Sequence, residues 1–322
     1  MASAPMVGVI LAAGKGARMY PFSEQRPKPV LPILNRPLLG YQIDVMREAG
    51  ITDIHIVVGH RGYQVASALG DGATLGVRIR YVEQETTLGL AHAVGALESR
   101  IDGPFVLMLG DIQFHLCGPL RPLMDEVSCG AVNANLVSRE EPDPEMLRRN
   151  FAILADDAGR VRRVIEKPRF STTRLKGCGL YVFDERIFDA IRRTPRTALR
   201  DEYEITDSIQ IMIEDGWVVR HHPIVSRDLN LTRAEDLLMI NLAELARRSL
   251  PRLVSPSAQL APGTVVEHSV IGPDVIVRHP IRIVDSVIMP GAHVEARHDL
   301  TQVVTDGEHL VYCPDLDLQV TS

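Results

Sequence analysis

Between Val7 and Leu109, short β-branched runs alternate with amphipathic helical patterns, and this alternation limits the possible folds more than any other feature of the chain. Val7–Ala13 reads as a buried strand, Pro37–Ala49 as a helix closed by Gly50, and Asp53–Val58 as the next strand. Val77–Val82, a helix near Leu90–Leu97 and Phe105–Leu109 continue the series. Strands and helices in turn at this spacing predict an α/β fold, doubly wound, with a mixed and mainly parallel sheet. Ligands of such sheets sit over the carboxyl ends of the strands, so the loops after Ala13, Val82 and Leu109 are expected to line one crevice.

Past residue 130 the pattern becomes mixed. Strands are expected at Ala131–Val137, Phe151–Leu154, Val161–Ile165, Cys178–Phe183 and Trp217–His222, with helices near Glu185–Ile191 and Ile205–Glu214. Ala234–Arg248 reads as a long helix that closes the domain. From Pro251 helical periodicity stops. Apolar residues then recur near a six-residue interval (Val254, Leu260, Val266, Ile271, Ile276, Ile281) with Gly or Pro between them. That texture predicts a small parallel β-helix of three or four coils, against the plainer alternative of a β-extension. Two domains follow, 1–250 and 251–322.

The chain has 322 residues, 45% hydrophobic and 24% charged with mixed signs, which suits a well-buried globular core. A net charge of -6 argues against a nucleic-acid binder and requires any phosphate site to be locally basic. Cys117, Cys129, Cys178 and Cys313 lack metal-ligand spacing and read as reduced structural thiols. The apolar run Val7–Ala13 is too short to span a bilayer and has no basic lead-in, so no membrane association and a cytoplasmic location are expected.

The stretch Leu11-Ala12-Ala13-Gly14-Lys15-Gly16-Ala17-Arg18-Met19, followed by Arg26-Pro27-Lys28-Pro29-Val30-Leu31-Pro32, carries the chemistry. Glycines directly after a first strand let backbone N–H groups approach phosphate oxygens. Met19 stands where a dinucleotide fingerprint would need glycine, and no P-loop pattern occurs. These residues resemble the signature of the sugar-1-phosphate nucleotidyltransferases, a family that includes glucose-1-phosphate thymidylyltransferases. The resemblance continues through Glu83-Gln84 to Leu88-Gly89-Leu90-Ala91-His92-Ala93-Val94, Leu109-Gly110-Asp111, Glu166-Lys167-Pro168, Gly179-Leu180-Tyr181 and Glu202–Asp207, and the tail is similar to that of the longer members.

The resemblance implies a nucleotidyltransferase fold with a left-handed β-helix tail. It also implies magnesium-dependent attack of a sugar 1-phosphate on a nucleoside triphosphate, with dTTP or UTP favoured, and a homo-oligomer. The attacking oxygen is already anionic, so the site must supply positive charge and in-line positioning rather than a general base. Leu11, Ala13, Gly14, Lys15 and Gly16 are expected around the nucleotide, with Arg18 and Lys28 on its phosphates and Gln84 and Gly89 on its base. Lys167 and Arg200 are expected at the sugar phosphate, with Glu166, Gly179 and Glu204 about the sugar. Asp111 would hold Mg²⁺ together with Asn230 or Asp228, which lie two apart and share a strand face. Ile112-Gln113 after the aspartate and Arg149-Asn150-Phe151 depart from the family pattern and point to a re-dressed sugar pocket, with a cyclitol phosphate as one alternative. A catalytically inactive, ligand-sensing subunit is the other.

Overall fold

In the computed structural model of the chain, which describes residues 6–14, 16–59, 61–198, 201–314 and 316, the first strand lies between two helical layers. Strand β1 (Val7–Ala12) turns Val9 and Leu11 into a core shared with Ala91, Val94, Ile187 and Ile205. Its opposite face carries Gly8, where an added Cβ would stand 2.5 Å from Met46 Sδ of helix α1 (Leu38–Glu48). Successive strand residues face opposite ways, so a strand covered on both sides must be apolar throughout, as this one is.

Strands β2 (Asp53–Val58), β3 (Arg78–Glu83) and β4 (Phe105–Leu109) run parallel to it in the spatial order β4-β1-β2-β3. Strands β5 (Ala134–Glu140), β6 (Phe151–Ala155), β7 (Val161–Glu166), β8 (Leu175–Phe183) and β9 (Val219–His222) complete a nine-stranded sheet among the described residues. β8 is antiparallel to β4, β5 and β6, which makes the sheet mixed. Helices α2 (Leu90–Gly95), α3 (Arg186–Arg193) and α4 (Ile205–Glu214) supply the helical side of the core cluster around Val9 and Leu11.

Two of the expected strands are displaced. β5 begins at Ala134, because Asn133 is tied into a turn by Val218 N and by the Asp184 carboxylate. β8 begins at Leu175 and not Cys178, since Lys176, which reads as a surface residue, is fully buried among charged partners. Among the described residues no helix is long and apolar enough to cross a membrane. All four cysteines are free.

Contacts divide the chain into two compact units, Met1–Gly14 with Tyr41–Asp228, and Lys15–Gly40 with Leu229–Ser322. In the second unit, helix α5 (Ala234–Arg247) holds the early segment through the buried Asn241, whose Oδ1 accepts from Leu34 N at 2.8 Å while its Nδ2 donates to Pro32 O at 3.1 Å. Asn35 Nδ2 donates to Ile271 O at 3.0 Å, Arg26 Nη2 to Pro290 O at 2.9 Å, and Gln25 Nε2 to Glu308 Oε2 at 2.8 Å.

From Leu253 onward the second unit is a three-faced parallel β-helix. Val254 pairs with Ile271, which pairs with Ile288, which pairs with Thr305; Leu260, Val277 and Val294 form the next face, and Val266, Ile283 and Leu300 the third. Each coil therefore takes 17 residues, in two steps of six and one of five. The short step makes the hexapeptide texture ragged in the sequence. Corner residues His268, Asp285 and Gln302, one per coil, share φ values of 41°, 47° and 51°. Ser269 Oγ accepts from Ser286 N at 2.9 Å, and Ser286 Oγ from Val303 N at 3.2 Å, a buried ladder that satisfies the inner backbone of the turns. Leu310–Tyr312 adds antiparallel to Val303–Thr305 and caps the stack.

Candidate active site

In the first unit the chain builds outward from β1 through β2 to β3, then places β4 on the opposite side of β1. The topological switch point lies between β1 and β4. Ala13 and Gly14 leave the sheet after β1, and Gly110 and Asp111 leave it after β4. Gly110 N donates to Leu11 O at 2.8 Å, and a Cβ on Gly110 would lie 2.6 Å from that oxygen. Glycine alone permits this approach, which seats the half-buried Asp111 beside the end of β1. Gly179, at φ 72°, lies so close that an added Cβ would meet Leu109 Cδ1 at 2.8 Å and Ile112 Cδ1 at 2.9 Å, so the residues flanking the Gly110-Asp111 turn pack on the bare backbone of β8. A Gly110→Ala substitution is expected to part the strand ends, with a loss of about 1–3 kcal/mol of stability and most turnover. Paired thermal melts and activity assays check this, and wild-type values for both would refute the seating role.

Gln84, Gly89, Glu166 and Glu204 gather in the same unit. Gln84 is buried, its N–H donates to Val58 O at 2.8 Å, and its Nε2 lies 3.0 Å from His92 Nδ1. Gly89 adopts φ 108°, and an added Cβ would meet Tyr203 O at 2.4 Å. Tyr203 N donates to Leu88 O at 2.7 Å and Ala91 N donates to Tyr203 O at 3.0 Å, a backbone clasp that brings Gly89 next to the buried Glu204. Thr206 Oγ1 donates to Glu166 Oε2 at 3.2 Å. Lys167 is exposed at φ 42°, with its N–H donating to Asn150 O at 2.8 Å and its Nζ 3.7 Å from Glu166 Oε1. Burial first, then the nearby Glu166, Cys178 and Glu204, raise the Tyr181 hydroxyl well above its usual range.

The second unit carries Gly16, Arg18, Lys28 and Asn230. Gly16 takes the left-handed conformation (φ 65°), and Met19 N donates to its carbonyl at 2.8 Å. The Lys28 stem packs 3.4 Å from where a Gly16 Cβ would stand. Arg18 is exposed on the 3-10 turn Ala17–Met19. Asn230 is half-buried just before α5, where Asp236 Oδ2 accepts from Thr232 N at 2.8 Å and Arg233 N at 2.7 Å. Burial raises the Asp236 carboxyl, and those amides and the charge of Lys28 oppose the rise, which puts Lys28 within electrostatic reach of the helix start. Lys15 and Arg200 lie outside the described residues.

Asp228 belongs to a buried quartet of the first unit. Its Oδ1 accepts from Arg139 Nε at 2.6 Å and from Lys176 Nζ at 2.8 Å; Lys176 Nζ is 3.6 Å from Glu141 Oε2, which also pairs with Arg139. The two cations and two anions balance. The pairing of Arg139 and Lys176 with Asp228 was not legible in the sequence, because the partners lie far apart along the chain, and His92, although inside a motif, gave no sign of its contact with Gln84. Among the described residues no three His, Cys, Asp or Glu side chains cluster as metal ligands. The donors offered by Asp111 and Asn230 are a carboxylate and a carboxamide oxygen, hard ligands suited to a magnesium ion that keeps much of its water.

Comparison with known proteins bears on the family and the fold. The family model described as nucleotidyl transferase matches residues 7–223, and that described as GlmU-like, C-terminal hexapeptide matches residues 246–314. The chain is 36% identical over 250 residues to the low-salt glycan biosynthesis nucleotidyltransferase Agl11 of Haloferax volcanii, covering 77% of this chain and 68% of that one. It is 32% identical over 299 residues to a glucose-1-phosphate thymidylyltransferase of Streptomyces antibioticus, covering 92% and 80%. A Bacillus anthracis crystal structure assigned as a glucose-1-phosphate thymidylyltransferase, in complex with a sucrose, superposes with a TM-score of 0.66 at 28% identity, covering 75% of this chain and 95% of that one.

Proposed function

The chain belongs to the nucleotidyl transferase family, and from that premise we propose that it couples a nucleoside triphosphate to a sugar 1-phosphate with release of pyrophosphate. A sugar phosphate oxygen attacks the α-phosphorus in line, a new P–O bond forms, and the bond to the pyrophosphate leaving group breaks. No proton need be removed from the nucleophile, so the work of the protein is to hold phosphates and balance their charge. The observation that carries the reading is the seating of Asp111 at the switch point, beside the end of the strand that leads into the glycine loop.

Arg18 and Lys28 supply positive charge for the triphosphate, backbone N–H groups at Gly14 and Gly16 face its phosphates, and Lys167 meets the sugar phosphate beside Glu166. Asp111 and Asn230 would hold the magnesium ion, which supplies neutralisation of the triphosphate charge when bound. The engagement of Asp228 by two cations favours Asn230 for this role. Gln84 and Gly89 read a base, and relatives named for thymidylyl and uridylyl transfer favour dTTP or UTP. We place the reaction in the cytoplasm, where these substrates occur, and take the β-helix as a contact for homo-oligomers.

A matrix of four nucleoside triphosphates against glucose 1-phosphate, other sugar 1-phosphates and a cyclitol phosphate, scored by pyrophosphate release, tests the proposal. Turnover is expected with at least one uracil or thymine triphosphate. Silence across the whole matrix would leave the chain as a ligand sensor and overturn the enzymatic reading.

A further inference from the structure

We propose that the amino-terminal ends of β2 and β3, with the turn that precedes β4, form a second anion site that takes a small phosphate-bearing ion at the end of the sheet opposite Asp111. The inference does not depend on the transfer reaction. Its members all lie in the first unit: Asp53 and His55 on β2, Arg78 and Arg80 on β3, and Arg100 on the 3-10 turn Glu98–Arg100. The parallel register sets Asp53 opposite Arg78 and His55 opposite Arg80. Both strands run away from this cluster toward Val58 and Gln84, and Asp53 and Val58, at the two ends of β2, stand about 16 Å apart at the rise of a strand.

Three guanidiniums meet a single carboxylate here. Arg78 Nη2 donates to Asp53 Oδ2 at 2.6 Å, and Arg80 Nη2 lies 3.3 Å from the same oxygen. Arg100 makes no ion pair among the described residues, and the neighbouring Glu98 is taken by Arg192. Three cations less one anion leave an excess of two positive charges, in a chain whose net charge is -6. Protection of the sheet edge explains part of this, since β3 is an edge strand and charged side chains there deter pairing with another chain. It does not explain Arg100, which stands on no strand, nor the buried groups of β2.

His55 is 3% exposed and its Nδ1 has no hydrogen-bond partner; Asp53 Oδ1 is likewise buried without one. Buried polar atoms are normally paired, so two orphans side by side mark a place for a ligand. Burial first, then Arg80 and Arg100, hold the imidazole below its usual range, against the opposing charge of Asp53. Both arginines therefore act on one ring, and the field that they set up there favours an anion. A phosphate group suits it best: it carries about two negative charges near pH 7, equal to the excess, and its oxygens match the paired N–H groups of a guanidinium. A carboxylate or a halide brings only one charge.

The test follows the His55 ring signals of the full-length protein by NMR, assigned by their loss in His55→Gln, as inorganic phosphate or pyrophosphate is added at an ionic strength held constant with KCl. A saturable shift is expected. Saturation by both ions at similar concentrations assigns a site for one phosphate group, and saturation by pyrophosphate at a lower concentration assigns a site for two. Arg100→Gln, which breaks no ion pair, and Arg80→Gln are each expected to raise the apparent dissociation constant at least about fivefold, with circular dichroism confirming folding. Asp111→Asn, at the other end of the sheet, leaves it unchanged. A shift that does not saturate, that KCl reproduces, or that folded Arg100→Gln retains at wild-type concentrations overturns the site. A shift abolished by Asp111→Asn places the ion in the crevice instead and overturns it as well.

Discussion

Asp111→Asn lowers kcat at least about a hundredfold while the melting temperature stays within about two degrees, and Arg18→Ala does the same: this is the expected outcome of removing preorganised charge from a reaction that brings several phosphate anions together. The asparagine keeps the size and hydrogen-bonding reach of the aspartate and loses the negative charge that would hold the divalent ion. Asp111 lies half-buried at a strand end, seated by Gly110, so the substitution leaves the core of the sheet untouched. Arg18 stands exposed on its 3-10 turn, where truncation removes little packing. Steady-state kinetics with saturating magnesium and thermal melts decide the matter. Full activity in either variant would remove that residue from the reaction.

Lys176→Met is expected to produce the largest loss of stability, about 3–5 kcal/mol, because it leaves the quartet with two carboxylates against one guanidinium in a place closed to water. Lys176 is fully buried and Asp228 nearly so. The sign follows from the pairing: while all four groups are present the charges cancel, and the deletion of one cation strands an anion without its counter-charge. The double variant Lys176→Met with Asp228→Leu restores neutrality, since Arg139 and Glu141 remain paired, and is expected to regain at least half of the loss. Denaturant melts of both variants measure the effect. A single variant within about 1 kcal/mol of wild type would show that the quartet adds little to stability.

The same quartet shows where the sequence stops being readable. β1, β2, β4 and α4 could be bounded within a residue or so from local pattern, because their apolar periodicity is itself the cause of their structure. The strand Val225–Asn230 was not, for its arginine and aspartate suit a strand only once Arg139 and Lys176, remote along the chain, neutralise Asp228. Helix Gly62–Leu69 opens on glycine without a side-chain cap and left no start signal. The short helix Pro144–Arg149 did leave one: Asp143 accepts from Glu145 N, and proline follows the cap, so the D-P-E run was a readable start. Of the candidate site, the motif residues were named from the sequence because they stand in runs that resemble a family signature in the right order. His92 stood inside one of those motifs without a role, since only the folded chain sets its ring nitrogen against Gln84.

The membership of Gly16–Gly40 in the unit of the β-helix has a bearing on how such chains can be recombined. A foreign tail joined at Pro251 would arrive without the partners of Gln25, Arg26 and Asn35, whose contacts fall on Glu308, Pro290 and Ile271. The segment Gly16–Gly40 and the coils near the carboxyl terminus thus form one compact unit split across the chain. A workable chimera exchanges both pieces together, and further coils enter it only as whole blocks of 17 residues ahead of the closing strand.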